Sequence, residues 1–128
     1  MTPTWVNPEN LHDVWEWVKQ GCEIVRRRCK PEWIAEDIYT ALKQGRAHLF
    51  LIEDKGFIIL QDASGFGGKE IYVWVIYGHL AEIEDELYAW LREVKRKAGA
   101  KRVWWLSPRK WHGRKDVKRV GYLFELED

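Results

Sequence analysis

The sequence predicts an α/β domain, a mixed central sheet flanked by helices on both faces, and three features carry that prediction. Apolar residues recur at three- and four-residue spacing in long stretches, and run on or alternate in shorter ones. The two kinds of segment are interleaved along the chain, which is the pattern of a layered α/β core. Finally, 128 residues suit one core, and no linker, internal repeat or low-complexity tract divides them, so residues 1–128 are read as a single domain.

Thr4-Trp5-Val6 is a short first strand. Asn7 offers an N-cap, with Pro8 at the first helical position and Glu9 in the first turn. Leu11, Val14, Trp15, Val18, Cys22, Val25 and Cys29 then form one apolar stripe on a long helix that ends before Pro31. Pro31 opens a second helix with Ile34, Ile38 and Leu42 inside and Gly45 as its stop. Ala47 to Glu53 and Phe57 to Leu60 read as strands joined by Asp54-Lys55-Gly56.

The glycine-rich stretch Ser64 to Gly68 lacks a lysine-serine pair and precedes a strand, so it reads as a hairpin connection rather than a phosphate loop. Ile71 to Tyr77 is apolar on both alternating faces, as a central strand covered on both sides requires. A helix follows from about Leu80 to Ala98, with Ile83, Leu87, Trp90 or Leu91, and Val94 inside and Gly99 as C-cap. Arg102 to Leu106 is a buried strand. A basic segment to Arg119 holds a short helix, and Tyr122 to Leu126 is the last strand.

Charge and cysteine usage narrow the function. The formal net charge is +1, so the whole-chain field gives no reason to expect a polyanion partner. The basic, aromatic run from Arg109 to Lys115 is therefore read as a solvated rim rather than a nucleic-acid site. Cys22 and Cys29 are two helical turns, about 10 Å, apart on one stripe, too far for a disulfide. They are expected to be reduced and buried, and no metal site is expected, since no His or further Cys stands at zinc-ligand spacing. The N-terminus lacks a signal-peptide pattern and no run reaches ~18 apolar residues, so no membrane contact is expected. Nine Trp in so short a chain exceed what a small core hides. Trp17, Trp33 and Trp111 fall where helix or loop geometry does not bury them, and exposed indoles mark a protein interface.

The element order and the ending Val117-Lys118-Arg119-Val120-Gly121-Tyr122 resemble the GNAT superfamily of acyl-CoA N-acyltransferases, whose last motif is a short helix running into lysine, x, apolar, Gly, aromatic. Val14-Trp15, the stretch Pro31 to Leu42 followed by Gly45-Arg46, and the tail Trp111 to Tyr122 are similar to small GNAT-like proteins of bacteriophages. The resemblance implies that the fourth and fifth strands lie parallel and splay apart, with the pantetheine arm of acetyl-CoA in the gap. It places the pyrophosphate on the backbone of Tyr77, Gly78, His79, Leu80 and Ala81, where free amides at a helix start attract anions. Glu70 or His79 would be the base for the acceptor amine.

The chain departs from the family pattern in two places. Against the signature of Arg or Gln, two residues, Gly, one residue, then Gly or Ala, only Gly78 and Ala81 remain, and Glu82, Glu84, Asp85 and Glu86 crowd the first turns. Val117 stands where the family often has a Tyr as general acid. The expectation is therefore a GNAT-fold protein that binds a protein partner without catalysis. In a phage setting that partner is a virion or host protein, met in the host cytoplasm or the particle. The alternative is an active acetyl-CoA-dependent N-acetyltransferase with an unknown amine acceptor.

Overall fold

A computed structural model describes residues 2–65, 68–106, 117–120 and 123–127. Strand β1 (Thr4–Trp5) is followed by a 3-10 turn, Pro8–Asp13, which Asn7 caps by accepting the Glu9 N–H on its side-chain oxygen at 3.0 Å. Helices α1 (Trp15–Cys29) and α2 (Ala35–Lys43) come next, then strands β2 (Ala47–Ile52), β3 (Gly56–Gly65) and β4 (Gly68–Gly78). A 3-10 turn, Ala81–Ile83, leads into helix α3 (Glu84–Ala98), which returns the chain to β5 (Val103–Leu106). Strands β6 (Val117–Val120) and β7 (Leu123–Leu126) complete the described chain.

The strands make one sheet in the order β1-β2-β3-β4-β5-β7-β6, antiparallel throughout except for the parallel β4–β5 pair. Parallel neighbours need a crossover, and α3 supplies it. Helices α1 and α2 cover one face over Leu49, Phe57, Ile59 and Val75. Helix α3 covers the other over Ile58, Leu60, Ile71, Val73 and Val103. The sheet is thus buried on both sides, which is why the β4 run is apolar at every position.

Two glycines allow close approaches. A Cβ on Gly21 would stand 2.5 Å from Phe57 Cε2 and 2.8 Å from Tyr77 Cδ2, so the glycine is what lets α1 rest on β3 and β4. Gly78, with φ +128°, faces Gly56 in the β3–β4 ladder.

Four sequence expectations are corrected. The first helix is broken at Val14, whose φ of −120° lies outside the helical range, so the stripe spans a 3-10 turn and α1. Burial along α1 stops at Cys22, and Cys29, in the last turn before the left-handed Lys30, is exposed. The second helix starts at Ala35 rather than Pro31. Ile34 is extended, and the Asp37 carboxylate accepts its N–H at 2.9 Å, which fixes the start there. Val117–Val120 is strand, not the end of a helix, because its β-branched ends pair across from Leu126 and Leu123 of β7. The remainder of that expected helix, and Tyr122, lie outside the described residues.

Candidate functional site

The β4–β5 ladder is short. Ile71 pairs with Val103 and Tyr72 with Trp104, and there the pairing ends, although β4 continues to Gly78 and β5 to Leu106. From Val73 onward the edge of β4 has no partner among the described strands, so the two strands part toward their C-terminal ends. A bulge accompanies the parting. Ile59 pairs with Val75 and Leu60 with Val73, leaving Trp74 as the extra residue. Its effect shows in the packing: Val73 joins the α3-side core, while both Trp74 and Val75 join the α1–α2 side.

The turn at the open end is Tyr77 to Ala81. Tyr77 is half-buried against Phe57, with ring centroids 5.4 Å apart. Gly78 has a packing reason that needs no ligand: a Cβ there would stand 1.9 Å from Lys55 O and 2.6 Å from Gly56 Cα. The His79 N–H donates to Lys55 O at 2.9 Å, and the Ile83 N–H to Leu80 O at 3.1 Å. The amides of Leu80, Ala81 and Glu82 remain as the donors at the head of the turn. Leu80 packs on the α3-side core, and Ala81 is exposed.

Four carboxylates follow. Glu82 is exposed and 3.5 Å from Lys55 Nζ, a contact too solvated to contribute much. Glu84, Asp85 and Glu86 fill the first turn of α3, which has no side-chain cap, and there they complement the helix dipole. The pyrophosphate of an acyl-CoA therefore does not fit this turn as built: its glycine serves the close β3–β4 contact, one amide is engaged, and four carboxylates follow directly.

The two candidate bases sit at opposite ends of β4, nine residues or about 30 Å apart. His79 is exposed at the open end. Glu70 lies at the paired end, its Oε2 3.0 Å from Arg102 Nε, with only 14% of its side chain exposed. It ties the start of β4 to the start of β5, beyond the last rung from the opening. Among the described residues no cluster of three or more His, Cys, Asp or Glu could hold a metal ion, and no helix is long and apolar enough to cross a membrane.

Of the three indoles expected at an interface, Trp17 is 40% exposed and meets Phe57 edge-on at 5.4 Å. Trp33 is half-buried and meets Trp74 edge-on at 6.4 Å. Trp111 lies outside the described residues. The structure adds neighbours that sequence reasoning did not single out. Tyr72 and Trp104 meet at a tilt of 38° with centroids 4.5 Å apart on the α1–α2 side, and the Arg102 guanidinium lies 5.2 Å from the Trp104 ring. Burial pushes the Tyr72 phenol above its ordinary pKa, so it is neutral. The signal was present: Tyr72 and Trp74 alternate with Ile71 and Val73, and Trp104 sits between Val103 and Trp105.

No protein-family model and no curated protein matches this sequence. Solved structures do. The fold is similar to a GNAT-family acetyltransferase from Listeria monocytogenes, at 9% identity over 98% of this chain and 92% of that one, with a TM-score of 0.60. It is similar to an aminoglycoside acetyltransferase from an uncultured soil metagenomic sample, solved with trehalose, at 14% identity over 94% of each chain and a TM-score of 0.62. It is also similar to the PaiA N-acetyltransferase of Thermoplasma acidophilum, solved with coenzyme A, at 13% identity over the full length of both and a TM-score of 0.58. The chain has the GNAT acetyltransferase fold. At these identities the likeness concerns the fold and leaves the chemistry to the site.

Proposed function

We propose that this chain uses the GNAT fold as a binding scaffold and recognises a protein partner through the α1–α2 side of β4 and β5, without transferring an acyl group. The observation that carries the reading is the turn after β4. Gly78 is required by Gly56 and Lys55, the His79 amide is engaged, and acidic residues surround the amides that remain. Glu70, which could have served as a base, is tied to Arg102 away from the opening. The half-buried rings of Trp33, Trp74, Tyr72 and Trp104 support a recognition role for that side. The resemblance to bacteriophage proteins makes a virion or host protein the partner to test first.

A second reading is favoured by one feature, the β4–β5 opening with its bulge at Trp74. On it the chain is an acetyl-CoA-dependent N-acetyltransferase, with the backbone of Tyr77 to Ala81 on the cofactor and His79 as the base. Titrating acetyl-CoA into the full chain by calorimetry separates the two. The binding reading expects a dissociation constant weaker than about 100 µM, together with loss of partner capture in Trp33→Ala. The enzyme reading expects tight binding and release of free thiol when a suitable amine is added.

A further inference from the structure

The last turn of α1 and its cap carry four cations, Arg26, Arg27, Arg28 and Lys30, and no carboxylate. The formal net charge of the whole chain is +1, so everything outside this turn is net negative. Positive charge is thus concentrated at the C-terminal end of one helix, where cations complement the helix dipole.

The dipole explains why cations stand there but not why they are left unpaired. Helix α3 also ends in cations, and there Glu93 holds Arg96 and lies 3.8 Å from Lys97. At the end of α1 the carboxylate in contact is Glu23, 3.4 Å from Arg26. Arg27 reaches the Glu23 backbone carbonyl at 3.4 Å instead. Among the described residues no carboxylate stands within ion-pair distance of Arg27, Arg28 or Lys30, and all three are exposed.

Arg26 also places the cluster. Its Nε donates to Trp33 O at 3.1 Å, which ties the chain between α1 and α2 to the helix end. The three unpaired cations therefore stand beside the segment that carries Trp33 to Trp74. From Arg26 to Lys30 the helix advances only about 6 Å, and exposed Glu32, Glu36 and Asp37 follow it. A few carboxylates fill that length. A nucleic-acid strand, whose phosphates repeat without end, would run on over the acidic residues that follow.

We infer that the C-terminal end of α1 takes an acidic segment of a partner protein, its carboxylates pairing with Arg27, Arg28 and Lys30. The inference rests on the reading above, that the α1–α2 side recognises a protein, and it names the charge of the segment recognised.

The chain carries its own reporter. Cys29, between Arg28 and Lys30, is exposed while Cys22 is buried, so a neutral maleimide added to the native full chain reads this turn. At low salt a blocked octaglutamate should slow Cys29 labelling at least about fivefold, and salt should remove the protection by screening exposed charges. A blocked octalysine should give none. The triple variant Arg27→Gln/Arg28→Gln/Lys30→Gln should lose the protection with an unchanged thermal midpoint, since none of the three is buried, and Lys97→Gln on α3 should keep it. Labelling unaffected by octaglutamate, or protection that survives in the triple variant or is matched by octalysine, would overturn the inference. An oligothymidylate of equal length that protects better than octaglutamate would overturn it in favour of nucleic acid. Acetyl-CoA is titrated separately: tight binding there removes the non-catalytic reading whatever the acidic probe does, and failure of the acidic probe leaves the acetyl-CoA result intact.

Discussion

Gly56 and Gly78 lie opposite each other in the β3–β4 ladder, and each occupies the space that the other's neighbourhood would deny a side chain. A Cβ on Gly56 would stand 1.8 Å from Tyr77 O, and one on Gly78 1.9 Å from Lys55 O. Both residues have positive φ, +158° and +128°. The start of the turn after β4 is therefore shaped by a close approach of the β3 and β4 backbones.

Gly78→Ala should accordingly destabilise the fold by about 3–5 kcal/mol, the sum of backbone strain and overpacking. Gly45→Ala, at φ +74° with no atom within 4 Å of its Cβ, should cost only about 1–2 kcal/mol. Urea unfolding of the two variants checks the contrast. Equal midpoints would show that the contact is slack.

Gly21→Ala sets two effects against each other. Alanine favours the helix by about 1 kcal/mol, but its methyl would press on the Phe57 and Tyr77 rings at 2.5–2.8 Å. Overpacking of a close helix–sheet contact costs about 1–3 kcal/mol, so net destabilisation of up to about 2 kcal/mol is expected. A stabilised variant would mean that α1 can lift off the sheet freely.

Cys22 and Cys29 should behave as opposites. Burial, with a smaller contribution from Glu23, pushes the Cys22 thiol up to about 12, while Cys29 is exposed. Alkylation of the native chain near pH 8 should label Cys29 alone, and denaturant should release the second site. The folded thiol holds its proton above the ordinary value of 9.0, so its contribution is complete below pH 9 and falls away as pH rises toward about 12. Alkaline unfolding in that window should shift upward in Cys22→Ala relative to its own neutral-pH stability.

Much of this architecture was legible in the sequence, and the failures have physical causes. Helical spacing found α3, and the doubly apolar run Ile71 to Tyr77 found the central strand, because burial on both faces leaves that signature. The parallel β4–β5 neighbourhood was implied by the family resemblance, and the pairing agrees with it. The bulge at Trp74 was not legible: where both faces are apolar, slipping one residue leaves no polar mark. Cys29 was misjudged because periodicity tells which side of a helix faces inward but not how far the sheet beneath it extends. The packing reason for Gly78 is not legible in the sequence, since the opposing Gly56 becomes its neighbour only through the β3–β4 register.

Glu70 is expected to act on stability. Replacing it by Gln leaves Arg102 beside Trp104 without its carboxylate and should cost about 1–2 kcal/mol. In a double-mutant cycle with Arg102→Gln the two losses should fall short of additive by about 1 kcal/mol. Strict additivity would mean that the pair does not join the strand starts.

On the proposed binding role the turn after β4 does not cradle a pyrophosphate, and calorimetric titration of acetyl-CoA into the full chain is the deciding measurement. A change at Gly78 cannot serve as the control, because it would disturb the close β3–β4 contact, so desulfo-coenzyme A is the appropriate competitor. The expected dissociation constant is weaker than about 100 µM, or roughly −5.5 kcal/mol. A low-micromolar constant, competed by desulfo-coenzyme A, would contradict it and return the chain to the acyltransferases.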